Sequence, residues 1–262
     1  MNGAARPLYP EFLRPLRRFK RKVTSYFDAR ALQRRVLSGQ RLVPEAALTD
    51  CYRQALALLR ERTGDEPLGE YLEFGVCHGA SFACMHRATL ETGLRDMRLF
   101  GFDSFAGLPP EAEDPEGGGI WREGQYRSSL GFTRSFLNEA GIDWSRAVLT
   151  KGWFRDTLTP QFASRHNIRK ASVIMIDCDI YSSAREALAF CEPLIADQAV
   201  ILFDDWHSGG DLAARNQGEK RAFSEFLARN PRLRTKALPS YTSNAEVFLV
   251  ERFPVGQQAA AE

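Results

Sequence analysis

The sequence predicts an α/β fold, a doubly wound and mostly parallel sheet with helices on both faces. Three observations carry it. From residue 71 onward, short apolar runs alternate with stretches of helical period. The runs LRTKAL and AEVFLVERF at the end, separated by residues 239–244, have the pattern of a closing hairpin. The length of 262 residues, 44% apolar and 26% charged, suits one large domain and is too short for two with full cores.

The elements follow in order. Residues 1–44 form a basic arm that becomes an amphipathic helix from Pro15, because Phe12, Leu16, Phe19, Val23 and Tyr26 recur at steps of four and three. Residues 1–41 hold eleven Lys/Arg against Glu11 and Asp28, a balance of +9. The whole chain carries +2, so the remainder is near −7. The arm is expected to pack on its own domain or across a homodimer; an anionic membrane surface is the alternative, and nucleic acid is not expected as a partner. Residues 45–62 form a second helix and open the main domain, 45–253. Strands are expected at 71–74, 98–102, 147–150, 172–176 and 199–203, with helices near 81–92, 132–140, 182–195 and 218–229. The segment between the second strand and the helix near Phe132, with Glu111, Glu113, Asp114, Glu116, Trp121 and Tyr126, is long enough to act as a lid or a ligand-binding loop. The tail, 254–262, is expected to be disordered.

Several classes are excluded by composition. No apolar run approaches the roughly 20 residues that span a bilayer, and no secretory signal is recognisable. Five cysteines without CxxC spacing argue against a disulfide scaffold or a zinc site and for a reducing, cytoplasmic setting.

In an open sheet, ligands bind beyond the carboxyl ends of the strands. The first strand runs into Glu73-Phe74-Gly75-Val76-Cys77-His78-Gly79-Ala80-Ser81, where two glycines allow a sharp turn and close approach of a ligand, and Ser81 is placed to cap the next helix. This is GxxxG, not the GxGxxG of pyrophosphate binding. The second strand ends in Asp103-Ser104, a carboxylate suited to the two hydroxyls of a ribose. The fourth ends in Asp177-Cys178-Asp179 and the fifth in Asp204-Asp205. Carboxylates gathered at one sheet edge repel one another unless a cation sits among them, and an all-oxygen set favours Mg2+ or Ca2+.

The strings YLEFGVCHGAS, FDSFAGLP, KGWFRDTL, IDCDIYSS, FDDW and GEKRAFSEF resemble the macrocin O-methyltransferase family, over about residues 45–252. The resemblance implies a class I methyltransferase fold, a seven-stranded sheet with one antiparallel edge strand, and Mg2+-dependent methylation of a hydroxyl by S-adenosylmethionine. It implies that Glu73, Gly75 and Val76, with Gly79 and Ser81, line the cofactor turn. Asp103 and Ser104 would meet the ribose, and Trp153 and Phe154 the adenine. Asp177, Asp204 and Asp205 would bind the metal, Asp177 also bordering the cofactor. The chain departs from the family in having Asp-Cys-Asp where Asp-Gly-Asp is frequent, and in a longer segment over residues 206–217.

A sulfonium donor carries an activated methyl, so the protein must align an acceptor oxygen and take its proton. Asp177 or Asp179 is the expected base, with His78 and His207 as alternatives; Lys151 is read as solvated, and Cys77 and Cys178 as small buried groups. A metal-dependent phosphate-ester hydrolase and a non-catalytic binding module remain the competing readings.

Overall fold

The computed structural model describes residues 14–38, 40, 42–113, 121–208 and 217–254, with side chains from Val23 onward. The arm helix α1 (Arg14–Leu37) and α2 (Glu45–Thr63) lead into β1 (Glu70–Phe74), α3 (Ala80–Glu91) and β2 (Leu99–Asp103). Then come α4 (Leu130–Glu139), β3 (Ala147–Lys151), two short helices, α5 (Phe154–Thr157) and α6 (Pro160–Arg165), and β4 (Ala171–Ile176). The chain continues through α7 (Tyr181–Cys191), β5 (Gln198–Phe203), α8 (Gly218–Arg229), β6 (Leu233–Leu238) and β7 (Glu246–Arg252). Local chemistry sets several ends. Ser129 caps α4 by accepting from the Phe132 amide, and Thr159 caps α6 ahead of Pro160. The helix expected to reach 195 ends at Cys191 and tightens into a 3₁₀ turn, Glu192–Leu194, where Pro193 lacks an amide donor.

The strands form one seven-stranded sheet in the order β3-β2-β1-β4-β5-β7-β6. β1 to β5 run parallel, and β7 is antiparallel to both β5 and β6. The antiparallel strand, expected at the edge from the resemblance, instead lies one place in from it. β7 slots between β5 and β6, because a hairpin joins it to β6 and leaves β6 outermost.

Alternation along the strands divides the core into two layers. Tyr71, Leu99, Val173, Met175, Val200 and Leu202 face α2 and α3. Leu72, Phe74, Phe100, Phe102, Ile174, Ile176 and Phe203 face α7 and α8. Gly101 is glycine for a packing reason: a Cβ there would stand 2.7 Å from Val76 Cγ2 and 2.9 Å from Leu149 Cδ2.

The arm helix meets its own domain on a different face from the apolar stripe. Ser25 and Ala29 are buried, and Ser25 Oγ donates to the Gly124 carbonyl at 2.8 Å. Val23 and Tyr26, from the stripe, stay 39% and 46% exposed, and Phe27 beside them 64%. Phe12, residues 114–120, 209–216 and 255–262, and the side chains of Leu16 and Phe19 lie outside the described residues, and with them the expectations for the tail and for Asp114 and Glu116.

Candidate active site

The parallel strands end along one line, and the segments leaving them enclose a cavity of about 400 Å³. Its floor is the turn after β1. Gly75 adopts φ +100°, and a Cβ on it would stand 1.6 Å from the Asp177 carbonyl oxygen, so only glycine lets this turn lie against the end of β4. Asp103, at the end of β2, holds the turn from the other side: its carboxylate accepts from the Cys77 amide at 2.8 Å and from the Phe105 amide at 2.6 Å. Burial raises the pKa of Asp103, and these amides pull against that rise.

Of the expected cofactor residues, Gly75, Asp103, Ser104, Trp153, Phe154 and Asp177 line the cavity, while Glu73, Val76, Gly79 and Ser81 are not among its lining residues. Strand alternation explains where Glu73 points. Glu73 points to the same side as Tyr71, into the layer under α2 and α3, where it is fully buried. It accepts there from Tyr71 Oη at 2.6 Å and from Ser81 Oγ at 2.6 Å, and Tyr71 in turn meets Tyr52 Oη at 2.9 Å. Burial pushes the Glu73 carboxyl up to about 8, against the pull of those two donors. Ser81 thus serves Glu73 instead of capping α3, whose N-cap position is Gly79 at φ +97°. Val76 packs in the core, and Gly79 closes against Leu137.

The aspartates from β4 and β5 meet at the same cavity, because these strands are neighbours with Ile176 opposite Phe203. Asp177, Asp204 and Asp205 each offer a carboxylate oxygen, and these oxygens lie within 4.8 Å of one another. Burial raises the Asp177 pKa well above the carboxylate range, and the charges of Asp204 and Asp205 raise it further. Asp179, at φ +63°, also lines the cavity; its carboxyl is raised by burial and then by the charge of Asp205. Hard oxygen donors crowded at this spacing fit a hard divalent cation, whose charge would relieve the repulsion.

The other candidate bases separate. His78 lines the cavity, but burial lowers its pKa to about 4. His207 is not a lining residue, and its Nε2 pairs with Glu246 at 3.1 Å. Burial raises the Cys77 and Cys178 thiols well above their usual range, so neither is a thiolate.

The family model described as macrocin-O-methyltransferase (TylF) matches residues 19–226. The chain belongs to the macrocin-O-methyltransferase family. Two curated relatives are a tetracenomycin-C 4'-O-methyltransferase of Streptomyces olivaceus that acts on a dimethoxy-rhamnosyl derivative, 27% identical over 145 residues, and the demethyldecarbamoylnovobiocin O-methyltransferase of Streptomyces niveus, 26% identical over 149 residues. The matches cover 53% of this chain and 53% of the first relative, and 55% of each for the second, so the chain spans about half the length of the curated relatives it matches. The fold is also that of the O-methyltransferase NovP (TM-score 0.63, 20% identity, 79% of this chain and 80% of that one). An O-methyltransferase from Bacillus cereus, solved in complex with SAH, aligns at TM-score 0.54 and 16% identity over 87% of this chain and 91% of that one.

Within this macrocin-O-methyltransferase family member, further residues border the aspartates without a clear signal in the sequence. Tyr241, from the turn between β6 and β7, donates its hydroxyl to Asp204. Glu219, in the first turn of α8, reaches the backbone between the two aspartate pairs. Leu32 and Arg35 of α1 and Leu42 and Val43 after it form part of the cavity wall, as do Gln125 and Tyr126 from the expected lid. An acid in the first turn of a helix reads locally as a partner for the helix dipole, and a tyrosine in a hairpin turn has no periodicity to interpret.

Proposed function

We propose that this chain is an O-methyltransferase that moves the methyl group of S-adenosylmethionine to a hydroxyl of a sugar or another small natural-product acceptor. The observation that carries the proposal is the convergence of Asp103 with Asp177, Asp179, Asp204 and Asp205 around one cavity. A phosphate-ester hydrolase has no use for the carboxylate after β2 or for the glycine turn beside it. Membership of the macrocin-O-methyltransferase family and relatives named for O-methylation of glycosylated natural products support the same reading.

In this proposal, Gly75 gives the cofactor room to lie against the turn, Asp103 receives the ribose hydroxyls with the oxygen lone pairs its amide partners leave free, and Trp153 and Phe154 flank the adenine. Asp177, Asp204 and Asp205 hold Mg2+, which when bound would act as a Lewis acid and template for the acceptor oxygen. Asp179 is the better placed base of the expected two, because Asp177 belongs to the clustered oxygens and Asp179 does not. A carboxyl whose pKa is raised by burial accepts a proton closer to neutral pH than an exposed one does. Tyr126, 46% exposed at the cavity wall, offers an aromatic face for the acceptor.

The proposal includes a homodimer and a cytoplasmic setting. Val23, Tyr26, Phe27 and Leu37 are four of the five large apolar side chains left exposed among the described residues, and all lie on α1, which supports a second copy as their cover. The five cysteines are free, which agrees with a reducing compartment. No helix among the described residues is long and apolar enough to cross a membrane.

The test is transfer of a labelled methyl from S-adenosylmethionine to metabolite extracts, with the product identified by mass spectrometry. Labelled O-methyl product that disappears in excess EDTA, returns with Mg2+, and is reduced in Asp204→Asn with S-adenosylhomocysteine affinity retained supports the whole reading. Full activity in EDTA together with an active Asp204→Asn variant removes the metal. Absence of any S-adenosylhomocysteine binding removes the transferase.

A further inference from the structure

The ladder between β4 and β5 ends where the Asp204 amide donates to the Ile176 carbonyl at 3.1 Å. Beyond that rung lie the loops that carry the aspartates. One side chain, Glu219, takes an amide from each. Its Oε1 accepts from the Cys178 amide at 3.3 Å, between Asp177 and Asp179, and its Oε2 accepts from the Asp205 amide at 3.2 Å. Glu219 is 1% exposed, and its oxygens are not part of the cluster formed by Asp177, Asp204 and Asp205.

We propose that Glu219 is a positioning residue that fixes the separation of the two aspartate-bearing loops, and so the spacing of the oxygens offered to the cation, by bridging the Cys178 and Asp205 amides. This rests on the reading of Asp177, Asp204 and Asp205 as a Mg2+ site. A carboxylate suits the task because each of its two oxygens can accept from a separate donor. Glutamine can accept with one oxygen only, and its amide group would face the other N–H donor to donor. Aspartate is one methylene too short to reach both loops. Glu219 also lies in the first turn of α8, so the same carboxylate ties the start of that helix to the aspartate loops.

The experiment titrates Mg2+ calorimetrically into the full chain with S-adenosylhomocysteine bound, and compares the native protein with Glu219→Gln. The expected result is Mg2+ affinity weakened about 10- to 100-fold, as for other groups that orient metal ligands, with S-adenosylhomocysteine affinity within about twofold of native. Mn2+ supplies a spectroscopic signature: its bound EPR line shape should change in Glu219→Gln, whereas a loss of global stability alone would leave it as in the native chain. Native Mg2+ affinity and an unchanged Mn2+ spectrum in the folded variant overturn the role of Glu219 and leave the metal site standing. No Mg2+ binding by the native chain at millimolar concentration overturns both. If Glu219→Gln does not fold, Glu219→Asp takes its place, with slow amide exchange at Cys178 and Asp205 of the native chain expected and rapid exchange at either overturning the bridge.

Discussion

Gly75 and Asp177 belong to neighbouring strand ends packed so closely that a single methyl group on Gly75 would overlap the Asp177 carbonyl oxygen, at 1.6 Å. The obstacle is backbone, which cannot rotate away, and φ +100° is itself unfavourable for any residue with a Cβ. Gly75→Ala should therefore cost at least about 3 kcal/mol of stability and remove S-adenosylhomocysteine binding. Urea unfolding and calorimetry check both. A variant with native stability and affinity would show that the turn is looser than its contacts imply.

Glu73 gives a pH dependence with a definite sign. Its carboxyl is raised from 4.5 to about 8 by burial in the folded chain. The folded state thus holds a proton that the unfolded chain has already lost, and the stability it contributes is full below about pH 4.5 and declines as pH rises to about 8. Glu73→Gln should remove a slope of up to about 1.4 kcal/mol per pH unit across that window, seen as a flatter plot of unfolding free energy against pH. Parallel plots for the two proteins would rule out the buried proton.

Asp103 has two roles to lose. Its replacement by alanine frees the Cys77 and Phe105 amides as well as any ribose contact. Each charge-assisted bond is worth roughly 1.5 to 3 kcal/mol, so Asp103→Ala should weaken S-adenosylhomocysteine at least about tenfold and also lower the melting temperature. Unchanged affinity by calorimetry would sink the ribose assignment whatever happened to stability.

Removal of residues 1–41 takes away the Ser25 contact to Gly124 and the cavity wall at Leu32 and Arg35. If the proposed homodimer is right, the truncated chain should sediment at a lower mass than the full chain's assembly or lose acceptor turnover, with S-adenosylhomocysteine binding largely kept. If mass, turnover and stability all persist while binding to anionic liposomes disappears, the arm is a membrane anchor.

What the sequence determined by itself was the inventory of elements and the residues at strand ends. Short apolar runs and burial of period 3.6 are written locally, so the strands from β1 to β7 and the helices α2, α3, α4, α7 and α8 were legible, as were Asp103, Asp177, Asp204 and Asp205 at the points where apolar runs stop. The four-residue α5 and six-residue α6 were not, being too short to establish a period. Only the tertiary structure decided which of these groups meet. Placing β1, β4 and β5 side by side brought Gly75 under Asp177 and Asp177 beside Asp204. The pleat turned Glu73 away from the cavity, although it lies two residues before Gly75. Tyr241 reaches Asp204 across 37 positions of sequence, and Ser25 reaches Gly124 across 99. Contacts of that kind follow from strand order and chain crossover, and no local pattern of side chains encodes them.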